Sequence, residues 1–226
     1  MMPEWNLPDL IDHTVLRPDA AMIDVLRLCR EAKEHRFTVV FVPPCYVDEA
    51  VEAVAGTVIC VGIPIGFPLG GHTTATKVAE AVEAVARGAH VLDMVMNVSR
   101  LKSGDLDYVR KDIAEVVQST PDVEHKVILE TCYLTQQEKR TACELVVEAG
   151  ADYVKTSTGF GAAGATVEDI RLMREAVAGR VKVKASGGIR DWKTTQAMLE
   201  AGADRIGTSA SVKIVKEWSA SQEKRF

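Results

Sequence analysis

The chain has 226 residues, 47% of them apolar and 26% charged, the balance of a folded globular protein; a disordered, collagen-like or coiled-coil chain is excluded. Lys and Arg number 27 against 32 Asp and Glu, a formal charge of -5. The basic residues are dispersed rather than massed, so the chain lacks the electrostatic footprint of a nucleic-acid binder and no nucleic-acid partner is expected.

In chain order, short β-branched runs alternate with longer stretches of helical period. The opening MMPEWNLPDL has no basic region followed by an apolar stretch and does not read as a signal peptide. Strands are predicted at Leu10–Val15, Thr38–Val42, Val58–Ile63, Val91–Val98, Lys126–Thr131, Tyr153–Ser157, Val181–Ala185 and Arg205–Thr208. The apolar run from Val58 to Leu69 is broken by Gly62, Pro64, Gly66 and Pro68 and is too short for a bilayer core of ~30 Å. No membrane partner is therefore expected, and the predicted location is cytoplasmic.

Between the strands, Val78, Val82 and Val85 predict one apolar face for a helix over Thr74–Arg87. Val109, Ile113, Val116 and Val117 do the same for Asp107–Ser119. Thr135 with Glu138 fits a capping box, and Asp191 is placed to cap the last long helix. Gly88, Gly150 and Gly202, each followed by alanine, end helical segments just before a strand, where glycine accepts a left-handed conformation. Eight strands with intervening helices predict an α/β fold, a single (β/α)8 TIM barrel of parallel strands over residues 1–226. The rival, an open doubly wound sheet, would want G-x-G-x-x-G after its first strand, and none is there. The five cysteines (Cys29, Cys45, Cys60, Cys132 and Cys143) contain no C-x-x-C and read as reduced thiols.

Lysine is among the residues least often buried without a partner, yet Lys155, Lys182 and Lys184 lie inside predicted strands. Side chains alternate along a strand. With Val154, Val181 and Val183 turned to the helices, all three lysines point into the barrel. Functional sites in this fold lie at the C-terminal ends of the strands. Lys155 and Lys184 are near those ends, with Lys182 one layer deeper, where a structural role is the favoured reading. Two ammonium groups sharing a mouth of low dielectric oppose each other's protonation, which can bring a lysine from ~10.4 toward ~7–8. A neutral amine is a nucleophile, so the pattern points to Schiff-base chemistry on a carbonyl substrate. The competing reading is a pair of lysines bridged to interior carboxylates such as Asp12, Asp93 and Glu130. Asp93 itself reads as an inward proton carrier or as a buried counter-ion.

Three glycine-rich turns follow the last three strands: Ser157–Gly161, Ser186–Arg190 and Gly207–Ser211. Loops after strands seven and eight of such barrels commonly hold phosphate through backbone N–H groups and a helix N-terminus. Ser209 adds a hydroxyl donor.

Asp12-His13-Thr14-x-Leu16, Gly66-Phe67-Pro68-Leu69-Gly70, Lys155-Thr156-Ser157-Thr158-Gly159-Phe160 and Lys184-Ala185-Ser186-Gly187-Gly188-Ile189-Arg190 resemble the deoxyribose-phosphate aldolase family, in order, from about Asp9 to Ser211. The resemblance implies metal-free, reversible cleavage of 2-deoxy-D-ribose 5-phosphate to D-glyceraldehyde 3-phosphate and acetaldehyde. It makes Lys155 the Schiff-base nucleophile, Lys184 its partner and Asp93 the general acid/base. It places Gly159, Gly187, Gly188, Gly207 and Ser209 in a phosphate cradle, and gives Asp12 and Thr14 the orienting of substrate hydroxyls or water. Two departures stand out. Many members carry a cysteine in the second strand that aldehydes attack, where this chain has Phe41; greater tolerance of acetaldehyde is expected. Some members end in a tyrosine that reaches the site, whereas this chain ends at Phe226.

Other readings keep the same residues in different work. One is another Schiff-base sugar-phosphate aldolase or transaldolase. A second is a sugar-phosphate isomerase using Asp93 and Asp12 without a covalent intermediate, and a third is a non-catalytic binder. The histidines are scattered, so no metal or other cofactor is expected, and His13 reads as helix-facing and structural. A homo-oligomer, dimer or tetramer, is the expected assembly.

Overall fold

The computed structural model describes residues 5–223. Eight parallel strands close into a barrel in sequence order: β1 (Ile11–Thr14), β2 (Val39–Phe41), β3 (Cys60–Ile65), β4 (Val91–Val95), β5 (Glu124–Ile128), β6 (Tyr153–Lys155), β7 (Lys182–Ser186) and β8 (Arg205–Thr208). The seam is β1 against β8, with Asp12 opposite Gly207. Outside lie α1 (Met22–His35), α2 (Val47–Val54), α3 (Thr74–Ala86), α4 (Val98–Lys102), α5 (Leu106–Ser119), α6 (Gln136–Glu148), α7 (Val167–Val177), α8 (Trp192–Glu200) and α9 (Ser211–Glu223). The tail from Lys224 to Phe226, on which the missing terminal tyrosine bears, lies outside the described residues. Among the described residues, no helix is long and apolar enough to cross a membrane.

The local signals act as their chemistry requires. Thr135 and Glu138 form the reciprocal capping box of α6, with the Glu138 carboxylate accepting from the Thr135 N–H at 2.7 Å. Asp191 accepts from the Thr194 N–H at 2.7 Å and starts α8, which a further helix, α9, follows. Gly88, Gly150 and Gly202 all have positive φ. In α5, Val109, Ile113 and Val116 are buried as expected.

The face of α3 departs from expectation. Val82 is exposed, while Lys77, Ala81 and Ala84 are buried. Small alanines let the helix approach the barrel. Lys77 is buried because its ammonium meets Asp112 of α5 at 2.6 Å and the Val95 carbonyl at 3.0 Å. Several strand ends also shift. Val58 is exposed and β3 instead runs from Cys60 through Pro64. β4 ends at Val95, and Val98 opens α4. β5 ends at Ile128, after which Glu130 takes a left-handed φ of 54°.

Outward side chains such as Val154, Val183, Ala185 and Ile63 join the helices in the main core. Inside the barrel the apolar group is small, Val39, Phe41 and Val91 with Cys60 against them. Charged side chains share the rest of the interior with Val95, Ile128 and Tyr153.

Candidate active site

Register sets the site. β6 pairs with β7 so that Val154 faces Val183 and Lys155 faces Lys184, and alternation turns the valines to the helices and both lysines inward. Lys155 Nζ lies 2.6 Å from Asp93 Oδ2, and Lys184 Nζ 2.7 Å from the same oxygen. Lys184 Nζ is also 2.5 Å from Asp12 Oδ2. The network continues through Asp12 Oδ1 to Arg205 Nε at 2.7 Å, and Lys126 Nζ stands 4.0 Å from Asp12 Oδ2 while pairing with Glu124. Asp93 Oδ1 has no hydrogen-bond partner among the described residues.

The two lysines titrate in opposite directions. Burial pulls Lys155 down from its ordinary 10.5 to about 8; Asp93 draws it back and Lys184 pushes it further down. Burial would lower Lys184 too, but Asp12 and Asp93 outweigh it and hold this lysine above its ordinary value. The second ammonium therefore helps to depress Lys155, but loss of water is the larger cause, which corrects the ranking expected from the sequence. Burial also opposes ionisation of Asp93 and Asp12, yet the surrounding lysines keep both carboxyls below the usual range.

Lys155 opens onto a cleft of about 600 Å³ whose wall includes Thr14, Gly159, Gly187, Gly188 and Ser209. Gly159, Gly187 and Gly188 have φ between 78° and 88°, a region that favours glycine. A Cβ on Gly164 would stand 2.1 Å from the Gly187 carbonyl oxygen, so glycine there lets the loop after β6 lie on the loop after β7. The former loop is also held by Glu130, whose carboxylate accepts from the hydroxyl and N–H of Thr158. Burial raises the Glu130 carboxyl against those hydrogen bonds.

Two placements, those of Asp12 and Lys182, differ from expectation. Asp12, expected to orient substrate hydroxyls or a bound water, is fully buried, is ion-paired with Lys184 and Arg205, and is not on the cleft wall. Gly207 lies on the cleft wall with the other glycines, and its missing side chain also makes room for Lys184, whose Cε would be 3.0 Å from an added Cβ. Lys182, the first residue of β7, is exposed over the Tyr153 ring at 5.2 Å, not one layer inside. The buried interior lysine is Lys126, which was missed although the outward Val127 beside it was the available signal. Arg205 was missed as well, because it opens its strand and carried no flanking alternation. His13, read as structural, is held between Ser211 Oγ at 2.9 Å and Glu31 Oε2 at 3.0 Å and also borders the cleft.

Among the described residues, no group of three or more His, Cys, Asp or Glu is arranged to hold a metal ion. The sequence model of the DeoC/LacD family aldolases matches residues 9–216. The chain belongs to this aldolase family. As a member it is an aldolase, a carbon–carbon lyase. It is 57% identical to the deoxyribose-phosphate aldolase of Thermoanaerobacter sp. (strain X514), over 95% of this chain and 97% of that protein. It is also 57% identical to that of Brevibacillus brevis, over 93% and 95%. A solved aldolase, QR15, superposes with a TM-score of 0.92 at 43% identity, covering 96% of this chain and 98% of its own. The Aeropyrum pernix deoxyribose phosphate aldolase, described as tetrameric, gives a TM-score of 0.85 at 31% identity, covering 93% and 90%.

Proposed function

We propose that this DeoC/LacD aldolase reversibly cleaves 2-deoxy-D-ribose 5-phosphate to D-glyceraldehyde 3-phosphate and acetaldehyde through a Schiff base on Lys155. The observation that carries the reading is the position of Lys155, buried at the cleft with its pKa lowered to about 8 while its neighbour Lys184 stays charged. At pH 7 about one Lys155 in ten is then neutral, a few hundredfold more than for an ordinary lysine.

The neutral amine attacks the substrate aldehyde carbon, and loss of water leaves a protonated imine. A base removes the proton of the C3 hydroxyl; the C2–C3 bond breaks, its electrons pass to the imine nitrogen, and glyceraldehyde 3-phosphate leaves. The enamine takes a proton at C2, and hydrolysis releases acetaldehyde and restores Lys155. Asp93 is the proton carrier, with Oδ1 unpartnered among the described residues and Oδ2 fixed by both lysines. The glycine turns at 159 and 187–188, with Ser209 and the N-terminus of α9, supply N–H and O–H donors for the phosphate. Thr14 contacts the sugar. The protein works in the cytoplasm as a homo-oligomer and needs no metal.

Incubation with deoxyribose 5-phosphate and borohydride, followed by peptide mapping, tests the reading. It expects a two-carbon adduct on Lys155. Turnover without any lysine adduct would contradict it and favour a non-covalent isomerase.

A further inference from the structure

Phe41 enters the lysine site from β2, a strand that contributes none of its charges. It is buried and stands beside Gly62 of β3, where an added Cβ would fall 2.6 Å from the ring. Glycine at 62 is what leaves the ring its place. Three ammonium groups converge on that ring: Lys184 Nζ at 4.1 Å from the centroid, Lys155 at 5.7 Å and Lys126 at 5.8 Å. All lie within the ~6 Å over which a ring face attracts a cation, but the attraction is strongest at close range.

We propose that Phe41 is a positioning residue of the lysine site: its ring seats the Lys184 ammonium between Asp12 and Asp93 and keeps it charged while Lys155 gives up its proton. The proposal rests on the Schiff-base role of Lys155. Lys184 is faced by Asp12 from β1, Phe41 from β2, Asp93 from β4 and Lys155 from β6, with Lys126 of β5 and Arg205 of β8 drawn to the same Asp12 carboxylate. Each carboxylate is shared with other cations, Asp93 with Lys155 and Asp12 with Arg205. The carboxylates already favour the charge on Lys184, which meets two of them where Lys155 meets one, and the ring adds to that preference from a strand that carries no charge. The ring stands 1.6 Å nearer to Lys184 than to Lys155, so it favours the charge on the lysine that must keep it.

Site-specific replacement of Phe41 by 4-fluoro-, 3,5-difluoro- and pentafluorophenylalanine preserves the shape of the ring while progressively weakening its negative face. Kinetics across pH and borohydride trapping are read on each protein. The alkaline limb of kcat, where Lys184 loses its proton, should move down in graded order, by about one pH unit for the pentafluoro ring. KM should stay constant. Phe41→Leu, its fold checked by circular dichroism, should shift the limb in the same direction. Trapping at Lys155 in every protein with an unmoved alkaline limb would overturn the role of Phe41 alone. Absence of a Lys155 adduct in the unsubstituted protein would overturn both readings.

Discussion

Lys155 and Lys184 are the same residue type on adjacent strands, share one carboxylate oxygen, and yet have opposite charge preferences because their remaining neighbours differ. Lys155 has one carboxylate and stands at the cleft wall; Lys184 has two carboxylates and a ring. Lys155→Leu should abolish both turnover and borohydride trapping with the fold retained. Lys184→Leu should lower kcat by two or more orders of magnitude, as loss of an acid–base partner does. Activity should rise with pH through about 8 as Lys155 loses its proton, and fall only above the ordinary lysine value, where Lys184 loses its own. Initial rates between pH 6 and 11 check both limbs. A single rise near 10.5 would contradict the assignment. The resemblance implies that Phe41 stands where many family members carry a reactive thiol, so prolonged acetaldehyde exposure should leave activity intact; rapid loss with a cysteine adduct would count against this.

Elements carry the site through two contacts that side-chain chemistry alone does not announce. The loops after β6 and β7 touch at Gly164, where a Cβ would strike the Gly187 carbonyl. Gly164→Ala should therefore displace the phosphate loop and raise KM for phosphorylated substrate at least tenfold, with a smaller effect on non-phosphorylated aldehydes, as steady-state kinetics would reveal. Behind the β4 end, Lys77 of α3 and Asp112 of α5 form an ion pair without exposed surface. Lys77→Met strands the carboxylate and should cost about 3–5 kcal/mol in denaturant unfolding, most of it recovered when Asp112→Leu is added. The barrel was legible because β6 and β7 put valine and lysine on alternate positions and glycine ended helices at 88, 150 and 202. The α3 face was not, because apolar periodicity ranks Val82 above Lys77 and cannot see a partner 35 residues away. Nor could the first residue of a strand be placed: Lys182 and Arg205 both open strands, and closure of the barrel exposes one and half-buries the other.

At the scale of the whole molecule, the barrel interior holds Lys126, Lys155, Lys184 and Arg205 against Asp12, Asp93 and Glu124. Of these four cations, Lys155 is the one at the cleft wall with its pKa lowered. In the proposed mechanism, loss of the Lys155 proton creates the nucleophile. In the proposed mechanism the protonated imine on Lys155 is the electron sink, so dialysis against a chelator should leave kcat unchanged. The most direct measurement is the pH dependence of reductive trapping of acetaldehyde on Lys155, followed by mass spectrometry of the labelled peptide. The trapping rate should reach half its plateau near pH 8; a midpoint at the ordinary lysine value of 10.5 would contradict the account.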